Sequence, residues 1–200
     1  VKCEVLSSTV VFHEFLTVEK SKLRWEQFDG AIGPACVRYV VRRGDSVGIV
    51  PVRLGRETVV LVKQFRFPAR REGFSGYLWE IPAGMVDRDE EPADTAVREL
   101  AEEIGIRPNR VEHLTSYYLS PGLLDEKMHL FLAPIEECME LNSRGGNPGE
   151  HEDLLVQAFK REELFLMIAG GEIADAKTIA GLLYYFSVYR HAHRPPSAAE

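Results

Sequence analysis

Apolar residues in the first third of the chain alternate with polar ones or come in β-branched runs. Residues 10–18, 23–28, 35–41, 47–54 and 58–65 therefore read as strands. Turn signals separate them: Glu19-Lys20-Ser21-Lys22, Asp29-Gly30 with Gly33-Pro34, Arg43-Gly44-Asp45 and Gly55-Arg56-Glu57. Residues 77–81, 111–119, 128–133 and 154–159 read as further strands. The period lengthens at 92–104, which predicts a helix with Pro92 in its first turn. Residues 162–169 and 177–189 are predicted helices as well. Residues 142–150 hold four Gly or Pro residues and no periodicity, so a mobile loop is expected there, and the tail from 191 onward is expected to fray. The whole pattern predicts an α/β fold with a mixed sheet. The strands up to about residue 29 are expected to form a small separate N-terminal β-sheet region.

Composition narrows the class. Two hundred residues suit one domain, with 45% apolar and 28% charged residues as in soluble globular chains. Acidic residues outnumber basic ones by 31 to 24. This argues against a nucleic-acid partner, which needs clustered Lys and Arg. Cys3, Cys36 and Cys138 are odd in number, far apart and without a C-x-x-C pair. Neither a disulfide framework nor a zinc site is expected, and a reducing compartment, by default the cytoplasm, fits. The start carries no apolar signal run, so no secretory signal is expected. The longest uncharged stretch near the end, 178–189, is too short to cross a bilayer, so no membrane partner is expected.

Residues 84–106, GMVDRDEEPADTAVRELAEEIGI, carry the candidate chemistry. On a helical wheel Ala93, Val97, Leu100 and Ile104 form one apolar stripe. Glu99, Glu102 and Glu103 lie together on the adjacent arc. Glu99 and Glu103 are four apart, and like charges at that spacing cost roughly 0.2–0.5 kcal/mol. The C-terminal end of a helix also disfavours anions. A solvated acidic face is one reading. The other is a hard divalent cation such as Mg²⁺, held by these oxygens and able to neutralise a pyrophosphate.

The same segment fits the pattern G-x5-E-x7-R-E-U-x-E-E-x-G-U, with U aliphatic, at Gly84, Glu90, Arg98, Glu99, Leu100, Glu102, Glu103, Gly105 and Ile106. Chance agreement at the single-residue positions is about 10⁻⁸ per window. The segment resembles the Nudix box. That resemblance implies a Nudix α/β/α sandwich and two or three Mg²⁺ ions, with Mn²⁺ as a substitute. It also implies Glu99, Glu103, Glu102 and the Ala83 carbonyl as metal ligands. Arg98 and Glu90 would orient the carboxylates, and Gly105 would end the helix. Residues 61–68 (LVKQFRFP), 79–87 (WEIPAGMVD), 120–133 (SPGLLDEKMHLFLA) and 170–185 (GGEIADAKTIAGLLYY) resemble the ADP-ribose pyrophosphatase branch, whose proline beyond the box is matched by Pro121. The branch implies hydrolysis of ADP-ribose to AMP and ribose 5-phosphate. It further implies a homodimer, with residues 1–34 as the dimerising β region and 35–200 as the Nudix domain. The alternatives are another nucleoside diphosphate sugar, a dinucleotide, or a non-catalytic ADP-ribose sensor.

Individual residues carry two readings each. Arg66 offers a planar fork to a phosphate, or is an exposed strand-end Arg. Glu80 interrupts an apolar strand, as a site carboxylate or on the solvent face of an edge strand. The branch resemblance also implies that Ser120, Gly122 and Glu126 belong to a loop over the sugar end, where Gly122 also suits a plain turn. By the branch resemblance the general base comes from the loop NPGEHED, with Glu152 first and Glu150 second; ordinary loop solubility is the alternative. In the resembling branch adenine stacks near the N-terminal dimer interface, which implies Phe15 and Arg38 as the candidates for adenine, against core and surface roles respectively.

Overall fold

Successive residues of the central strands serve two different cores. The computed structural model describes residues 1–53, 55–147, 149 and 151–193. Within it, β4 (Ser46–Arg53) and β5 (Thr58–Phe65) lie inside a sheet ordered β10-β11-β5-β4-β9-β8. The remaining members are β8 (Glu112–Tyr118), β9 (Lys127–Ile135), β10 (Arg144–Gly145) and β11 (Leu154–Lys160). β6 (Tyr77–Glu80) pairs with β5, and β7 (Ala83–Met85) pairs with β4. β4 runs parallel to β9 and antiparallel to β5, so the sheet is mixed.

Val47, Ile49, Val60, Val62, Phe131 and Ala133 pack with Ala96, Leu100 and Ile104 of α1 (Pro92–Ile104). Their neighbours Val50, Val52, Val59, Leu61, Leu130 and Leu132 join the opposite core. There they meet Leu164 and Met167 of α2 (Arg161–Ala169) and Leu182 of α3 (Ala176–Leu183). Helices on both faces of one sheet make the expected α/β/α sandwich. The expected stripe on α1 is corrected in part. Ala93 is exposed and Val97 half-buried, while Ala96 is fully buried. The helix is rolled so that Glu99 and Glu103 go inward beside Leu100 and Ile104.

The predicted helix 177–189 starts one residue earlier and changes character. After α3 the chain widens into a π-helix at Tyr184–Tyr189, with Tyr185 and Phe186 both buried, and ends in α4 (Arg190–Ala192). The rest of the tail, 194–200, lies outside the described residues. Among the described residues no helix is long and apolar enough to cross a membrane.

The chain divides into two units: Val1–Asp45 with Tyr118–Lys127, and Ser46–Tyr117 with Met128–Glu200. The sandwich core belongs to the second. The first holds an antiparallel sheet of β1 (Cys3–His13), β2 (Thr17–Trp25) and β3 (Cys36–Arg42). The boundary expected after residue 34 precedes the third of these strands. The predicted strand 10–18 straddles the β1–β2 hairpin, whose bend is closed by the Glu14 N–H donating to the Leu16 carbonyl at 3.1 Å. Glu19-Lys20-Ser21-Lys22, read as a turn, lies inside β2. β1 is exposed along its whole length and β2 buries Ser21 alone, so no buried face existed to set the phase.

Leu100 is fully buried among the sheet residues named above. Leu100→Ala is expected to cost about 2–5 kcal/mol. Urea unfolding should show a lower midpoint at unchanged slope; a shift inside experimental error would mean that α1 does not depend on this contact.

Candidate active site

The box helix is held at both ends by backbone chemistry. Pro92 fills its first turn, where its missing N–H costs nothing. Gly105 closes it in the left-handed conformation, at φ 77°, and donates its N–H to the Leu100 carbonyl. Two carbonyls left open at this end are taken by the segment that follows β9. Asn142 N–H donates to Ile104 O at 3.2 Å and Gly146 N–H to Glu102 O at 3.1 Å. The loop expected to be mobile is therefore tied down over its first half. The tie leads the chain directly to Glu152. Its carboxylate accepts from Gln64 Nε2 and from the Asn147 N–H, both at 3.1 Å.

Glu99 and Glu103 sit side by side, mostly buried, with Glu103 only 4% exposed. Glu103 Oε1 accepts a long hydrogen bond from the Ala83 N–H at 3.4 Å, and Oε2 has no hydrogen-bond partner among the described residues. Glu99 accepts from Arg98 Nη1 at 2.8 Å. A Cβ at Gly84 would overlap the Glu99 carboxylate, so the box needs glycine there for close approach. Burial pushes the Glu99 carboxyl up to about 7 against the pull of Arg98, with Glu102 and Glu152 adding repulsion. Burial, then the Glu99 charge, raises Glu103 well above the ordinary carboxylate range. Both groups feel the Glu152 charge, so the three acids share one electrostatic site.

Arg98 is the hub beside them. It donates to Glu90 through Nε and Nη2, to Glu99 through Nη1 and to the Met85 carbonyl. It also lies 3.6 Å from Glu102. Glu90 additionally accepts from Thr95 Oγ1 at 2.8 Å. The Arg98 hydrogen bonds lead in holding Glu90 below the usual carboxylate range.

Among the described residues no three acidic, imidazole or thiolate side chains already converge on one metal position. The donor chemistry nonetheless fits a hard cation. Glu103 Oε2 is a buried oxygen without a partner, and Glu99 beside it is strained by the same burial. A divalent ion satisfies the first and offsets the second.

Across β5 and β6 lies a second polar group. Glu80 is 1% exposed, which rules out the solvent-face reading. Arg66 grips it in a bidentate pair, Nε to Oε1 at 3.0 Å and Nη2 to Oε2 at 2.9 Å. Lys177 Nζ donates to the same Oε2 at 2.6 Å and lies 3.1 Å from Asp175. Burial alone would raise the Glu80 carboxyl; the Arg66 hydrogen bonds and the two positive charges outweigh it and hold the group below its ordinary value. Sequence reading missed Lys177, Asp175 and Gln64 as members of the site. The helix-start signal Asp175 with Thr178 was available, but nothing local pointed it at Glu80.

The other candidates lie in the first unit. Phe15 is 91% exposed at the hairpin tip, against its alternative reading as core. Arg38 lies over the Trp25 ring at 5.5 Å. Ser120 accepts from the Leu123 and Leu124 N–H groups, and Gly122 has open space around it. Glu126 is buried and 3.4 Å from Arg43 Nε. Glu150 lies outside the described residues.

The model of the NUDIX domain matches residues 42–182. The chain belongs to the NUDIX domain family. The ADP-ribose pyrophosphatase of Haemophilus influenzae is 29% identical over 182 residues, covering 90% of this chain and 83% of the relative. The GDP-mannose pyrophosphatase of Pectobacterium atrosepticum is 38% identical over 144 residues, covering 72% and 73%. A solved ADP compounds hydrolase superposes with a TM-score of 0.71 at 21% identity, over 98% of each chain, which shows the fold.

The raised carboxyls make stability depend on pH. A carboxyl whose folded pKa exceeds its unfolded value stabilises fully below about 4.5 and loses that contribution as pH rises through the folded value, about 7 for Glu99. With divalent ions stripped, the melting temperature should fall from about pH 5 to about pH 8, and Mg²⁺ should raise it more at the higher pH. A flat profile with equal Mg²⁺ shifts at both pH values would contradict the burial described.

Proposed function

We propose that the chain hydrolyses the pyrophosphate bond of ADP-ribose, giving AMP and ribose 5-phosphate, with Mg²⁺ as its metal. The observation that carries this is the buried Glu99–Glu103 pair, with one partnerless oxygen, in a chain of the NUDIX family. Similarity to a relative named ADP-ribose pyrophosphatase supports the substrate. Glu99, Glu103 and the Ala83 carbonyl would hold the metal, with Glu102 joining from its place near Arg98. Two or three ions, or Mn²⁺ in their place, suit this set of oxygens. When bound, the metal neutralises pyrophosphate charge and makes water more acidic.

The side chains carry the remaining work. Glu152, steadied by Gln64 and the Asn147 N–H, takes the proton of the attacking water. Water adds to one phosphorus as the bridging P–O bond breaks, and the second phosphate departs. Arg66 meets the pyrophosphate with the Nη1 edge that Glu80 leaves open. Arg98 and Glu90 hold the Glu99 carboxylate in its rotamer. Phe15 and Arg38 are assigned to adenine, and Ser120, Gly122 and Glu126 to the sugar end. Glu150 stands as the second choice of base.

Exposed Val5, Leu6, Val10, Val11 and Phe12 on β1 favour a homodimer through that strand. The free cysteines fit a cytoplasmic setting.

A GDP-sugar is the second reading, favoured by the relative named GDP-mannose pyrophosphatase. A panel of nucleotide sugars with released AMP and GMP measured separates the two. AMP from ADP-ribose is expected at the higher kcat/KM; GMP release from GDP-mannose at the higher value would move the substrate. Glu103→Gln should stay folded and lose more than about 100-fold in kcat. Normal turnover by that variant would remove the metal assignment. Glu152→Gln should lose about 10²–10⁴-fold in kcat with Mg²⁺ affinity kept; full activity would pass the base to another residue.

A further inference from the structure

We infer that Lys177, at the start of α3, is a positioning residue that keeps the charge of Arg66 available to substrate phosphate while Glu80 holds the guanidinium still. The inference rests on the reading of Arg66 given above.

Arg66 commits Nε and Nη2 to Glu80, which fixes the plane of its fork. A one-to-one pair of that kind is close to neutral, and a neutral pair attracts a diphosphate poorly. Lys177 alters the balance by bonding to Glu80 Oε2, the oxygen that Arg66 Nη2 also meets. The shared carboxylate then sits between two cations. Behind Lys177, Asp175 caps α3, accepting from the Thr178 N–H at 2.9 Å and the Thr178 hydroxyl at 2.6 Å. Charges thus alternate along the row Arg66, Glu80, Lys177, Asp175. The positive end is the partly exposed Arg66. The negative end rests on the first turn of α3, where backbone amides offset it.

The fold aligns this row through one further bond. The Ile81 N–H donates to Thr178 Oγ1 at 2.9 Å. Ile81 follows Glu80 and Thr178 follows Lys177, so the bond pins the two partners' backbones together. The side chain of Lys177 is 12% exposed and that of Glu80 2%, so water screens the contact little.

The test compares the full chain with Lys177→Gln, which keeps a donor without charge, and Lys177→Arg, which keeps the charge. With ADP-ribose and Mg²⁺, Lys177→Gln should raise KM about tenfold or more with kcat little changed, and Lys177→Arg should restore most of the loss. In an Arg66→Gln background, Lys177→Gln should add little, because both act on one phosphate contact. An unchanged KM, a loss confined to kcat, no recovery with Arg, or full additivity with Arg66→Gln would each overturn the role. Turnover by the unsubstituted chain tests the reading of the site separately: its absence on every nucleotide sugar would remove that reading.

Discussion

Two carboxylates buried side by side on one helix are the constraint around which the catalytic unit is arranged. Burial of Glu99 and Glu103 is unfavourable in isolation, since each is desolvated and each repels the other. The neighbouring structure offsets only part of this. Arg98 takes one oxygen of Glu99, and the Ala83 amide makes a long contact with one oxygen of Glu103. The remaining oxygen of Glu103 has no hydrogen-bond partner among the described residues. A scaffold that merely needed to fold would place leucines there. Retaining two strained acids makes sense if a cation completes the site, and the chemistry of a hydrolase for diphosphates follows from that completion.

The surrounding elements keep the pair in this state. Ala96, Leu100 and Ile104 anchor α1 to the sheet and thereby carry the acids inward. Gly84 lets β7 approach close enough to bring the Ala83 backbone beside them. The segment after β9 gives its Asn142 and Gly146 amides to the open carbonyls of α1, and Glu152 beyond it acts in the same field. On the other side of the sheet, α3 is locked to the end of β6 through Thr178, and a buried row of alternating charges ends at Arg66. Packing, helix capping and charge placement therefore bring together groups that feel one another's charge: Glu103 senses Glu152 and Glu80, and Arg66 senses Glu103.

Parts of this were legible in the chain and parts were not. The acids proposed to hold the metal could be read because one helix fixes their spacing, and glycine marks both boundaries of the motif. β4 and β5 could be read because they are buried on both faces and rich in β-branched residues. β1 and β2 were misphased because their exposed faces carry no apolar alternation. β7 and β10 span three and two residues, too few for any period. Lys177 and Glu80 stand 97 positions apart, and a pairing over that distance leaves no local signature. Ala93 and Ala96 are equivalent as sequence; only the docking of α1 decides which one is buried.

Completion of the Glu99–Glu103 pair by a divalent cation is the proposed step on which catalysis turns. A crystal grown with Mn²⁺ and a non-hydrolysable ADP-ribose analogue, with anomalous differences measured at the manganese edge, addresses it directly. A peak is expected within bonding distance of Glu103 Oε2 and a Glu99 oxygen. A well-ordered site whose anomalous density lies elsewhere, or is absent while the analogue is bound, would contradict it.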